Sequence, residues 1–269
     1  MIPPDTMLHI YEIRGEMVDI SVPDPPPSFI GIWNEEDFSY LFFTESEDDY
    51  IRARVCGNSL SSWSRHEMKY SDWQTGLPSN GLSIGGFRFV PADDPAPESD
   101  SLLLDPSVVF GDGSHPTTTS CLKFLQQVIE FGRIESMLDL GTGTGILALA
   151  AARLGVSRIL AVDRNRLAAE TARKNVRINK LESIIQVEES EARLHIDRTV
   201  DLVTANLPFQ VLRDLVTLRG ANLHRFWIVS GIDRIQAGVL KELLTEQGYS
   251  IGNESIDAPW VTFEASKQM

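Results

Sequence analysis

Cysteine is nearly absent from this 269-residue chain, which has only Cys56 and Cys121. Two are too few for a disulfide framework, and neither stands at a metal-ligand spacing, so no metal site and a reducing compartment are expected. No apolar run approaches the roughly 20 residues that span a bilayer, so no membrane partner is expected. The opening residues, Met1-Ile2-Pro3-Pro4-Asp5, have neither a basic head nor an apolar core. No secretory signal is expected from them, and the expected location is cytoplasmic. Basic charge is scarce too: 24 Lys and Arg face 38 Asp and Glu, a net charge of −14. The deficit sits in residues 1–100, where 6 basic residues face 18 acidic ones; residues 101–269 carry 18 and 20. An acidic front third repels phosphate backbones, so no direct contact with nucleic acid is expected. It would attract a basic protein surface, or it serves solubility alone. No internal repeat is visible.

At 42% hydrophobic and 23% charged, the chain has globular composition and is long enough for two domains. Its front part reads as β-rich. Residues 8–13 and 29–33 alternate, and residues 38–44 and 50–55 are further strand candidates. Pro23, Pro25, Pro26 and Pro27 punctuate them. Residues 76–86 are rich in Gly, Ser and Pro, a short strand is expected over 87–90, and residues 91–100 read as a linker or surface loop. From Asp105 the pattern changes to alternating strands and helices. Helices are expected over 116–131, 146–154, 166–179, 209–218 and 234–247, and strands over 136–140, 158–163, 184–187, 200–206 and 226–230. Two closing strands, 249–255 and 261–265, have no helix between them, which predicts an antiparallel hairpin at a sheet edge. The expected fold is α/β: a doubly wound, mostly parallel seven-stranded sheet with that edge hairpin, preceded by a smaller β-rich α+β domain. The expected boundary divides residues 1–95 from 96–269.

Ligands of such sheets lie beyond the carboxyl ends of the strands. Three strand ends carry informative residues. In Leu138-Asp139-Leu140-Gly141-Thr142-Gly143-Thr144-Gly145 a buried strand breaks into a glycine turn that a ligand can approach without meeting Cβ atoms. The third glycine falls one place early for a dinucleotide fingerprint, and Ile146 holds its position. In Ala161-Val162-Asp163 an acid follows about 20 residues later, suited to a ribose diol or to capping the next helix. In Asp201-Leu202-Val203-Thr204-Ala205-Asn206-Leu207-Pro208-Phe209, Asn206 and the Leu207 carbonyl can accept N–H hydrogen bonds from an amine, and Phe209 can wall a pocket. The alternative puts Pro208 at a helix start and Phe209 in the core. A fourth element, Phe110-Gly111-Asp112-Gly113-Ser114-His115-Pro116-Thr117-Thr118-Thr119, offers helix N-terminal amides and threonine hydroxyls to a carboxylate. His115 is a candidate base or a structural residue of that loop.

Together these segments resemble the class I S-adenosylmethionine-dependent methyltransferases. More narrowly, they resemble the bacterial ribosomal protein L-eleven methyltransferase (PrmA) family, in whose order they run. The most family-specific piece is Gly113-Ser114-His115-Pro116-Thr117-Thr118; Val229-Ser230-Gly231-Ile232 matches as well. The resemblance implies S-adenosylmethionine as cofactor, with Thr118, Asp139, Gly141, Gly143, Asp163 and Asn206 around it and Asn206 as the catalytic residue. It also implies a front domain that selects a basic protein, such as a ribosomal protein, for N-methylation at a lysine or N-terminal amine. Two segments depart from the family. Leu207-Pro208-Phe209 leans toward enzymes that methylate planar nitrogens, and the front third matches only at Asp72-Trp73 and residues 85–91. Alternatives therefore stay open: a small molecule, a protein glutamine, or an inactive cofactor-binding relative. A nicotinamide oxidoreductase fits poorly because the glycine spacing fails.

Overall fold

The computed structural model describes residues 2–3, 5–14, 25–34, 38–55, 62–73, 77–78 and 80–267. Cys56 lies outside them.

The front sheet is antiparallel, with order β2-β3-β1-β4. Its strands are β1 (Met7–Arg14), β2 (Phe29–Asn34), β3 (Phe38–Phe43) and β4 (Ser62–Lys69), and the short helix α2 (Tyr70–Trp73) follows β4. Side chains of a strand alternate between faces, and here both faces are buried. Tyr11, Ile13, Leu41 and Phe43 pack with Ile51 of helix α1 (Asp48–Val55). Leu8, Ile10 and Phe42 pack instead against Val108, Val109, Leu167 and Ala168 of the second half of the chain.

Two front elements differ from the sequence expectation. Residues 50–55 form the end of α1 rather than a strand. Asp48 and Asp49 occupy its first turn, where the helix dipole favours acids, and Ile51 and Val55 are one helical turn apart. Strand β4, Ser-Trp-Ser-Arg-His-Glu-Met-Lys, has no apolar alternation. It exists because β1 pairs with it along its whole length, from Met7↔Lys69 to Arg14↔Ser62, and an edge strand tolerates polar side chains.

A three-stranded sheet follows. Strands β5 (Leu82–Ile84) and β6 (Phe87–Pro91) form a hairpin, and β7 (Leu102–Leu104) pairs parallel to β6. Residues 91–100 are thus the surface connection between two strands of one sheet. Ile84, Phe87, Phe89, Leu102 and Leu104 share a core with helices α3 (Pro116–Gly132) and α4 (Ile146–Arg153).

The large sheet is the expected seven-stranded one, with order β10-β9-β8-β11-β12-β14-β13. Strands β8 (Ser136–Leu140), β9 (Arg158–Asp163), β10 (Ile185–Glu189), β11 (Leu202–Asn206) and β12 (Phe226–Ile232) are parallel. Strands β13 (Ser250–Asp257) and β14 (Trp260–Ser266) close the edge as an antiparallel hairpin. Alternation sorts the core. Met137, Ile159, Ala161 and Ile228 face α3 and α4. Leu138, Leu140, Val162, Val203, Trp227 and Val229 face α6 (Phe209–Thr217) and α7 (Arg234–Glu246). Each Val, Leu, Ile or Met among them contributes about 1.5–3 kcal/mol by leaving water. Strand order reverses between β8 and β11, which opens the carboxyl ends of β8, β9 and β11 toward one crevice.

Helix α5 (Arg166–Ile178) ties this body to the chain before it. The fully buried Asn175 donates to the carbonyls of Asp105 and Thr144, each at 2.9 Å, and accepts from the Asp105 amide at 2.9 Å. One side chain thus satisfies three buried backbone groups and fixes the glycine turn to the segment entering the Phe110 loop.

Candidate functional site

The glycine turn follows directly from β8. Gly141 and Gly143 both have positive φ, 72° and 55°, a region that side chains with a Cβ avoid. Close approach reinforces the need. A Cβ on Gly143 would lie 2.6 Å from the Phe110 carbonyl, and one on Gly141 would strike the Leu207 side chain. Thr144 completes the contact: its amide donates to the Phe110 carbonyl at 3.3 Å and its hydroxyl to the Gly111 carbonyl at 2.6 Å. The Phe110 loop therefore lies on the glycine turn.

Asp163 ends β9 beside this turn. Its Oδ2 accepts from the Gly143 amide at 3.0 Å and its Oδ1 from the Asn165 amide at 2.9 Å. The capping alternative belongs to Asn165, whose side chain accepts from Leu167 and Ala168 at the start of α5. Asp163 is thereby left at the wall of a cleft of about 270 Å3, together with Gly141, Gly143, Asn206 and Leu207. Burial pushes its pKa up, opposed by the two amide donors.

Asp139 sits differently from the sequence expectation of a cofactor contact. Its carboxylate points into the core, where Thr142 Oγ1 and Thr204 Oγ1 each donate to it at 2.6 Å. It is 1% exposed and does not line the cleft. Both oxygens are engaged in bracing the glycine turn against β11, so Asp139 is a strut beneath the site. Burial pushes its pKa up to about 6.

Asn206 ends β11, and its Nδ2 donates to Thr117 Oγ1 at 3.1 Å. Thr117 in turn meets His115 Nδ1 at 2.7 Å, and its amide donates to the same nitrogen at 3.3 Å. An amide can only donate, so Nδ1 is the acceptor and the ring proton of neutral His115 sits on Nε2. The Thr117 hydroxyl then donates to His115 and accepts from Asn206. His115 is the N-cap of α3, with Pro116 at the first helical position, which gives it a structural role. Burial lowers its pKa against the pull of Asp112, so the ring is neutral at pH 7. Its ring also contacts Phe110 and Trp260 edge-on, with centroids 5.2 and 5.3 Å away.

Thr118 follows on α3. It is 2% exposed and lines neither cleft, and its hydroxyl has no hydrogen-bond partner among the described residues, so the sequence expectation of a cofactor contact there is not met by this geometry. The aromatic wall expected from Phe209 is not formed: Phe209 opens α6 behind Pro208 and packs against the sheet core. The Leu207 carbonyl lies beside Gly231, whose missing Cβ leaves it room at 2.6 Å.

Several cleft residues carry no sequence signal strong enough to single them out. Ser190 and Glu191 follow β10 and line the cleft. Their position past a fourth strand end, Glu189↔Asp163 in register, is the signal that could have found them. Trp33 of the front sheet also lines it, across a sequence distance no local pattern spans. A second cleft of about 600 Å3 opens alongside. Trp33, Tyr40, Phe42 and Trp73 of the front module line it, opposite Phe110, Asp112 and His115. Trp73 Nε1 donates to the Val108 carbonyl at 2.9 Å and Tyr70 to the Ser107 carbonyl at 2.5 Å, so the front module grips the strand of chain that enters the site. Among the described residues no group of three or more His, Cys, Asp or Glu is placed to hold a metal ion, and no helix is long and apolar enough to cross a membrane.

The sequence pattern of the ribosomal protein L11 methyltransferase (PrmA) family matches residues 31–268. A ribosomal protein L11 methyltransferase of Desulforamulus reducens is 32% identical over 224 residues, 79% of this chain and 72% of the relative. Those of Anoxybacillus flavithermus and Bacillus cereus are 34% and 35% identical over 63% of this chain, and the match spans only 55% and 54% of their length. Among solved structures, a ribosomal protein L11 methylase from Lactobacillus delbrueckii subsp. bulgaricus superposes with a TM-score of 0.58 at 26% identity, covering 68% of this chain and 95% of that one.

Proposed function

This chain belongs to the ribosomal protein L11 methyltransferase (PrmA) family, and on that premise we propose that it methylates an amine of a ribosomal protein L11 with S-adenosylmethionine in the cytoplasm. The observation that carries the reading is the convergence of the glycine turn, Asp163 and Asn206 on one cleft from three neighbouring strand ends.

Asp163 has the geometry to accept from both ribose hydroxyls, since each carboxylate oxygen keeps a lone pair beyond its single amide donor. Gly141 and Gly143 let the ligand lie against the backbone. Asp139 holds the turn from below without touching the ligand.

S-adenosylmethionine supplies a methyl group on a sulfonium, already a good leaving group, so the protein's work is alignment and desolvation. A lysine amine is charged at neutral pH, with an ordinary pKa of about 10.4. The aromatic rings of Trp33, Tyr40, Phe42 and Phe110, with Asp112 beside them, attract a charged lysine side chain, whose amine must shed a proton to solvent before it attacks. Asn206 Nδ2 is committed to Thr117, which fixes the amide so that Oδ1 accepts from the incoming amine and aims its lone pair. When bound, S-adenosylmethionine would supply the methyl group to that amine nitrogen and leave as the thioether, while Asn206 holds the amine and its proton passes to solvent. The acidic front module supplies attraction for a basic ribosomal protein.

The test is transfer of labelled methyl groups from S-adenosylmethionine to purified L11, read by mass spectrometry, with Asp163→Ala alongside. Methylated L11 from the wild type and at least a tenfold loss of cofactor affinity in Asp163→Ala are expected. Binding of NAD in place of S-adenosylmethionine, or an Asp163→Ala protein with unchanged affinity, would overturn the reading.

A further inference from the structure

Trp33 lines both clefts, and it comes from the front module. It reaches the body through a close contact. Gly31, two residues earlier on β2, packs on Leu167 so tightly that a Cβ there would clash with the leucine side chain at 2.4 Å. Leu167 is in the first turn of α5, four residues after Asp163. Period-2 alternation puts Trp33 on the same face of β2 as Gly31. The register agrees: Trp33 pairs with Tyr40 and Gly31 with Phe42, and both of those partners line the second cleft.

Phe110 is the other residue common to the two clefts. Its carbonyl is fixed on the glycine turn through Thr144. The partition between the clefts thus has one half held by the methyltransferase body and the other by the front module.

We propose that Trp33 is a cofactor-contacting residue supplied by the front module. This rests on reading the smaller cleft as the S-adenosylmethionine site. An indole buries a large apolar area against whatever lies beneath it, so a ligand under Trp33 loses contact area and protection from water when the ring is removed.

Calorimetry on the full chain tests this, with S-adenosylmethionine titrated into wild type, Trp33→Ala, Trp33→Phe and Asp163→Ala. Trp33→Ala is expected to weaken binding about tenfold, with Trp33→Phe in between. With excitation selective for tryptophan, cofactor is expected to change wild-type fluorescence. Most of that change should vanish in Trp33→Phe, although calorimetry still records binding. Should Trp33→Ala lose its fold, the Trp33→Phe fluorescence decides alone. Wild-type affinity in Trp33→Ala together with weakened Asp163→Ala refutes the role of Trp33 and leaves the cofactor site standing. So does an undiminished fluorescence change in Trp33→Phe. A wild type that does not bind S-adenosylmethionine overturns both.

Discussion

Replacing Asp139 with asparagine separates a strut from a ligand contact. The carboxylate is buried, and its pKa rises from the ordinary 3.8 to about 6, chiefly because burial penalises the charge. At about 1.4 kcal/mol per pKa unit, the ionised form is disfavoured in the fold by on the order of 3 kcal/mol. The sign follows from linkage. The folded state holds the proton more tightly than the unfolded chain, so this group's contribution to stability is complete below pH 3.8 and lost as pH rises through about 6. An asparagine stays neutral throughout. It keeps an acceptor for one threonine hydroxyl and obliges the other, Thr142 or Thr204, to accept instead of donate, at a cost of about 1 kcal/mol. Asp139→Asn is therefore expected to be about 1–2 kcal/mol more stable than wild type at pH 8. The advantage should shrink or reverse by pH 5. Urea unfolding of the two proteins in parallel across this range measures the difference, in which the acidic residues of the front module cancel. Cofactor affinity should stay within about threefold, because neither oxygen reaches the cleft. A variant destabilised equally at every pH would refute the raised pKa. A hundredfold loss of cofactor binding would return Asp139 to the ligand.

Asn175→Ala strands the Asp105 amide and the Asp105 and Thr144 carbonyls in the core, and is expected to cost about 2–4 kcal/mol in urea unfolding. Asn175→Asp should not restore that stability, since a carboxylate cannot donate to the two carbonyls. Asn206→Ala is expected to lower turnover about a hundredfold while cofactor affinity changes less than about threefold. Single-turnover rates and calorimetry on the same preparation check this, and equal losses in both would make Asn206 a binding residue only.

Much of the site is legible in sequence because its requirements are local. Gly141 and Gly143 occupy backbone conformations that other residues avoid, so the turn is visible as glycines after an apolar strand. His115-Pro116 marks the start of α3 by capping chemistry that acts within three residues. The alternation of strands and helices after residue 105 follows from side-chain periodicity alone, and the closing strands form a hairpin because no helix separates them. The front module is less legible. Residues 50–55 alternate like a strand, yet the acids before them start a helix, and β4 is a strand only because β1 offers it a full ladder.

The sequence by itself determined the seven-stranded architecture, the glycine turn and the three strand ends that meet at one cleft. Backbone conformation, periodicity and capping are set by neighbours in the chain. Tertiary structure decided which way those side chains point and what joins them. It turned Asp139 inward onto two threonines, gave the cap of α5 to Asn165 and left Asp163 at the cleft. It packed Phe209, partly buried, against the sheet core behind Pro208 and brought Trp33 to the cleft that Asp163 lines. Those outcomes depend on contacts between segments far apart in the chain, whose energies no local pattern encodes.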